Sequence, residues 1–168
     1  MVMKITESPQ DLERQALIQQ VTLDAAAMLE IDLENDESQF IVTKVYDTIV
    51  DLVFERVTPV SEDENPHLLL GALWGAQMAR QFNWYWADVV IDEQFNEVAM
   101  ISPNQDMVIF PFSFTQACID RQCICTILLA FNMLIENDKA GEFETGSYEN
   151  IMLDIYHIIP PYELEATG

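Results

Sequence analysis

The chain is short of positive charge. It has 7 Lys and Arg against 29 Asp and Glu, a formal net charge of −22 over 168 residues. Nucleic-acid binding rests on clustered basic residues that displace counterions from phosphate. Here Lys4, Arg14, Lys44, Arg56, Arg80, Arg121 and Lys139 are scattered, no two adjacent, which excludes direct DNA or RNA binding. The same deficit disfavours anionic membrane surfaces. Long apolar runs are missing as well. Cys123–Ile135, broken by Thr126 and Asn132, is the longest nearly uninterrupted one, well short of the about 20 residues that a spanning helix needs. The opening residues, MVMKITESPQDLERQ, contain no apolar core of a secretory signal, so a cytoplasmic location is expected. Cysteine is sparse and odd in number. Cys118, Cys123 and Cys125 lie in one apolar segment, where free thiols act as small hydrophobes rather than as a disulfide framework.

What is present reads as one globular domain over residues 1–168. Half the residues are hydrophobic and 21% are charged, and a chain of this length buries on the order of 70% of its unfolded surface without staples. Ser8-Pro9-Gln10-Asp11 reads as a helix start, with Ser8 as cap, and Leu17, Val21, Ala25, Met28 and Leu29 form an inner stripe. After the acidic connector Asp32–Glu37, a second helix spans 38–57, with Ile41, Val45, Ile49, Leu52 and Val53 inside and Pro59 as its stop. Asn65-Pro66 opens a third helix to about Phe82. Its Gly71, Gly75 and Ala79 make a smooth strip that a neighbour can approach closely. The period then changes to that of strands at 84–91, 97–101 and 107–110, joined by short polar turns that imply an antiparallel meander. Ser113–Gln116 matches a capping box for a fourth helix running to about Glu136, apolar enough in its second half to be central. Ser147 opens a fifth helix carrying Tyr148, Ile151, Met152, Ile155 and Ile158, stopped by Pro160-Pro161. Residues 162–168 read as a loose tail. The expected fold is α+β: a three-stranded antiparallel meander packed against about five helices, in the order ααα-βββ-αα.

Four pieces of the stretch Leu68–Asp120 share a pattern: Leu70-Gly71-Ala72-Leu73-Trp74-Gly75, Asn83-Trp84-Tyr85-Trp86, Val98-Ala99-Met100-Ile101-Ser102-Pro103 and Ile109-Phe110-Pro111-Phe112-Ser113. Together they resemble a bacterial domain family of unknown function, with a glycine-bearing helix, a W-x-W strand, a short strand ending in Ser-Pro, and a last strand ending in Pro before a helix. The resemblance covers about a third of the chain, on residues 66–120. It implies this layout and a bacterial cytosolic origin, and brings no reaction with it.

Motifs for chemistry are absent. There is no G-x-S-x-G elbow, P-loop or G-x-G-x-x-G fingerprint, so a nucleotide cofactor lacks a phosphate cradle. In a helix, Cys123-Ile-Cys125 would point its sulfurs about 200° apart, poor geometry for a tetrahedral metal. The Asp32–Asp36 alternation looks like a calcium loop, but Glu37 and Thr43 stand where a loop starting at Asp32 needs Gly and a bidentate carboxylate. No catalytic, metal or cofactor residue is assigned. A Cys118–His157 pair would need the fold to bring the two together.

Asp88 falls mid-strand on the face of Trp84 and Trp86. There it either contacts a ligand or, more plainly, faces solvent or pairs with Arg80 or Arg121. The aromatics Trp84, Trp86, Phe110, Phe112 and Phe114 either line a groove or pack the core. The reading favoured by the charge is a non-enzymatic acidic binding or accessory protein, immunity-like in its sharpest form, that meets a basic protein partner. The candidate contact residues are Asp88, Trp84, Trp86, Glu62, Asp63, Glu64, Asp92 and Glu93. Two alternatives stand: a small hydrolase-like enzyme using Asp or Glu with His, and acidity that serves solubility alone.

Overall fold

Residues 4–54, 65–137 and 143–156 are described by the structure, a computed structural model. In chain order the elements are β1 (Ile5–Ser8), α1 (Leu12–Met28), α2 (Ser38–Val53), α3 (Pro66–Phe82), β2 (Tyr85–Ile91), β3 (Phe95–Ile101), β4 (Met107–Ile109), α4 (Pro111–Ile119), α5 (Ile127–Asn137), β5 (Glu149–Asn150) and α6 (Ile151–Tyr156). The class is α+β, and the expected meander is there as β2-β3-β4. It is the centre of a larger mixed sheet, ordered β1-β2-β3-β4-β5, so the expected order ααα-βββ-αα is corrected. The first three pairings are antiparallel and β4–β5 is parallel.

Both unexpected strands lack a hydrophobic period. β1 has one apolar residue, Ile5, and its place is set by the register Ile5↔Ile91 to Ser8↔Asp88. Polar β5 is held by backbone bonds from Tyr148 N to Gln105 O and from Glu149 N to Asp106 O. Because Ser8 belongs to β1, the cap of α1 is Asp11, whose carboxylate accepts from Arg14 N at 2.7 Å. The buried face of α1 is Ile18, Thr22, Ala25 and Ala26, a rotation from the expected stripe that leaves Leu17 63% exposed. Ile41, Val45 and Ile49 on α2 are fully buried, as expected. The Pro59 stop, Pro160-Pro161 and the tail 162–168 lie outside the described residues. So does the end of the expected fifth helix, which begins at Ile151 because Tyr148 is left-handed (φ 47°) and residues 149–150 pair as β5.

The central helix is α3. Its residues from Leu69 to Gly75, with Gln77 and Met78, are buried on all sides. α5 was expected in that role. It buries only one face, through Ile127, Ala130, Phe131 and Leu134, with Leu129 and Ile135 exposed. The long fourth helix is also broken. α4 begins directly at Pro111, so Ser113 lies inside its first turn and bonds Glu97 instead of capping. After Ile119 the chain turns left-handed at Arg121 (φ 62°), with Gln122 N donating to Ala117 O and Arg121 N to Cys118 O. That paired pattern is a Schellman stop, usually built on glycine. Here the Arg121 side chain anchors it by donating to the Val53 carbonyl at the end of α2.

Alternation along β2 divides its side chains between two clusters. Trp86, with Met100, Met107 and Ile109, joins the helical core around Trp74, Leu70 and Ile41. Ala87 and Val89, with Ile5, Ala99, Ile101 and Val108, form a smaller cluster on the other face.

Candidate functional site

Two hollows adjoin the N-terminal half of α1. One, of about 480 Å³, runs between α1, α3 and β2, lined by Ile18, Gln19 and Thr22, by Ala76 and Ala79, and by Trp86. The other, of about 410 Å³, is lined by Arg14, Asp88, Asn96, Glu97, Val98 and Phe112. Two contacts link them. The Trp86 indole of the first hollow stacks on the Phe112 ring of the second, centroids 5.5 Å apart and planes 12° from parallel. Asp88 Oδ1 accepts from Arg14 Nη1 at 3.1 Å and from Gln10 Nε2, in the wall of the first hollow, at 3.3 Å.

The small-residue strip on α3 explains this geometry. At Gly75 the indole of Trp86 lies where a side chain would be, and at Gly71 the Phe112 ring and the Pro111 carbonyl approach to 2.9 Å of an added Cβ. Ala76 and Ala79 keep the adjoining wall shallow.

The structure thus brings together Asp88 and Trp86. The partner of Asp88 is Arg14, not Arg80 or Arg121, because β1 carries the start of α1 over β2. Trp84 is not in the site. It precedes β2 and is buried in the core, 4% exposed. Asp92 and Glu93 form the β2–β3 turn and bind Lys4, through its backbone N at 2.9 Å and its Nζ at 2.8 Å. Glu62, Asp63 and Glu64 lie outside the described residues. Arg14, Gln10 and Gln19 escaped sequence reading, while Phe112, expected either in a groove or in the core, lines the second hollow. The available signal was weak: Gln15 and Gln19, four apart, share a face of α1 turned away from the expected Leu17, Val21 and Ala25 stripe.

The five cations among the described residues are engaged within the chain, and Arg56 and Lys139 lie outside those residues. Lys4 and Arg14 pair with Glu93 and Asp88. Arg80 donates to the carbonyls of Leu33 and Asp36 and so fastens the acidic connector. Lys44 donates to the Leu29 carbonyl, and Arg121 to that of Val53. Asp32 is held below the usual carboxylate range by hydrogen bonds from Asn35 and Glu34.

A second polar cluster lies on the other sheet face. Glu7 accepts from Tyr85 Oη at 2.9 Å, Gln105 Nε2 at 2.7 Å and Tyr148 Oη at 2.5 Å. Burial, and then the Glu7 carboxylate, raise the Tyr148 phenol above its ordinary range. Tyr85 is raised as well, chiefly by burial. These bonds tie β1 to residues beside β4 and β5.

Among the described residues, no group of three or more His, Cys, Asp or Glu is arranged to hold a metal ion. Nor is any helix there long and apolar enough to cross a membrane. No protein-family model, curated protein or solved structure matches this chain.

Proposed function

We propose that the chain is a non-enzymatic binding or accessory protein of the bacterial cytoplasm that receives a basic partner protein on the face built by α1, α3 and β2. Inhibition of that partner, in the manner of an immunity protein, is its sharpest form. The observation that carries the reading is the use of the cations among the described residues: Lys4, Arg14, Lys44, Arg80 and Arg121 all bind acceptors within the chain, whose net charge is −22. The field facing a partner is therefore negative, which speeds encounter with a basic surface. The Trp86–Phe112 stack gives that face an aromatic anchor of the kind that dominates interface energetics.

The test is capture from native lysate at low and high salt, with Gln19→Arg in the groove and Asp47→Ala on the exposed side of α2. The expected result is a basic protein held at low salt, released at high salt as screening grows, lost with Gln19→Arg and kept with Asp47→Ala. Capture that ignores both salt and Gln19→Arg refutes the reading. A second reading has its own support, because exposed carboxylates sit on separate elements, among them Asp11, Asp24, Asp47, Asp120, Glu136 and Glu149. That spread favours acidity serving solubility, and then no salt-dependent partner is found.

A further inference from the structure

The connector between α4 and α5 gathers all three cysteines. Cys118, in the last turn of α4, is buried, while Cys123 and Cys125 in the connector are half-buried. The Schellman stop at Arg121 folds the chain back, so Cys118 Sγ and Cys123 Sγ stand 3.7 Å apart, in van der Waals contact. A disulfide has its sulfurs about 2.05 Å apart, so closure requires an approach of only about 1.7 Å. This geometry differs from the helical arrangement the sequence implied, in which Cys123 and Cys125 diverge.

We infer that Cys118 and Cys123 form a dithiol oxidation site, which takes low-molecular-weight disulfides of the glutathione class as its oxidant. Cys123 is the entry point, since it is partly exposed and Cys118 is not. The Cys123 thiol gives up its proton, and the thiolate attacks one sulfur of the small disulfide. A mixed disulfide forms at Cys123 and one small thiolate departs with that proton. Cys118, deprotonated in turn, then attacks Cys123 Sγ, forming the Cys118–Cys123 bond and expelling the second small thiol. Two protein thiols are oxidised and one small disulfide is reduced to two thiols, which carry away both protons. The contact to Cys118 also lowers the Cys123 thiol, while Cys118 is raised by its contacts with Cys123 and Cys125 and then by burial. This order of acidity matches attacker and resolver.

The experiment uses the full chain, reduced and then incubated with oxidised glutathione, quenched with a maleimide, denatured and cut with trypsin. Cleavage after Arg121 separates Cys118 from Cys123 and Cys125. A Cys118–Cys123 bond therefore joins two peptides, and a Cys123–Cys125 bond stays inside one. The expected product is the joined pair, with two of the three thiols protected from alkylation and Cys125 labelled. The Cys125→Ser chain is expected to give the same joined pair, and Cys118→Ser to stop at the mixed disulfide on Cys123. The inference is overturned if all three thiols stay alkylatable, if the bond lies within one peptide, or if Cys125→Ser abolishes the joined pair. The wild-type chain and Cys125→Ser decide the matter even if Cys118→Ser fails to fold.

Discussion

Replacing Gly75 with Ala tests the geometry on which the candidate site stands. In an ordinary helix interior the change favours Ala by about 1 kcal/mol, because Gly loses more backbone entropy on folding. Here a Cβ at position 75 meets Trp86 Cε2 at 3.3 Å and its Cζ2 and Cη2 closer still. The indole cannot step aside freely, since its other face is stacked on Phe112. Overpacking of this kind costs typically 1–3 kcal/mol, and loss of the stacking adds about 0.5–1.5 kcal/mol. The clash outweighs the propensity, leaving a net loss of roughly 1–3 kcal/mol. For a chain of this size each kcal/mol shifts Tm by about 2–4 °C. A thermal melt followed by circular dichroism should therefore show Gly75→Ala several degrees below the parent. Adding Trp86→Leu should shrink or reverse the difference between Gly and Ala at 75, because the obstructing ring is gone. A Gly75→Ala protein that melts at or above the parent temperature would refute the seating of Trp86 over α3, and with it the shape of the groove.

Two other substitutions probe the frame around the site. Tyr148 and Tyr85 hold their phenol protons more tightly folded than unfolded. Their contribution is thus complete below the unfolded value of about 10 and is lost as pH rises through the folded ones. Stability should fall above about pH 10, and Tyr148→Phe should fall less steeply there while losing about 1 kcal/mol at pH 8 with its hydrogen bond to Glu7. Urea midpoints across pH 8 to 11 measure both, and equal slopes in the two proteins would contradict the Glu7 cluster. Glu30 closes α1 with φ 56°, its N bonded to Ala27 O and the next N to Ala26 O. Left-handed geometry costs a side chain about 1–2 kcal/mol, partly offset by the entropy glycine loses on folding. Glu30→Gly should raise the unfolding free energy by up to about 1 kcal/mol and so move the urea midpoint upward, and a lower midpoint would count against that turn geometry.

The parts of the fold legible in the sequence are those with a strong period or a strong start signal. Asn65-Pro66 marked α3, the buried Ile41, Val45 and Ile49 marked α2, and the β-branched and aromatic run 85–91 marked β2. What stayed hidden was specified by tertiary contacts. β1 presents one apolar side chain and β5 none, so no period exists to read in either. The division of the expected fourth helix depends on a left-handed Arg121, where glycine would have announced the stop and arginine did not.

The two halves of the candidate site differ in the same way. Trp86 and Asp88 share a face by simple alternation, so a rule of period two suffices to pair them. Arg14 and Gln10 reach Asp88 only because β1 adds to the sheet edge and hands the chain to α1 over that face. An error at four residues, 5–8, therefore propagated into the wrong cation for Asp88 and the wrong stripe on α1. With Ile18 and Thr22 turned toward α3, Leu12 and Leu23 are left on the outside, 81% and 49% exposed. Gln19, between them in sequence, lines the groove, so a partner seated there has apolar surface within one helix width as well as negative charge around it. Charge sets the rate and salt dependence of such an encounter, and buried apolar contact sets how long it lasts. If that division holds, salt should act on capture mainly through association. Trp86→Ala should instead speed release of the captured partner at any one salt concentration. Surface plasmon resonance on that partner would separate the two, and an unchanged release rate for Trp86→Ala would remove the groove from the interface.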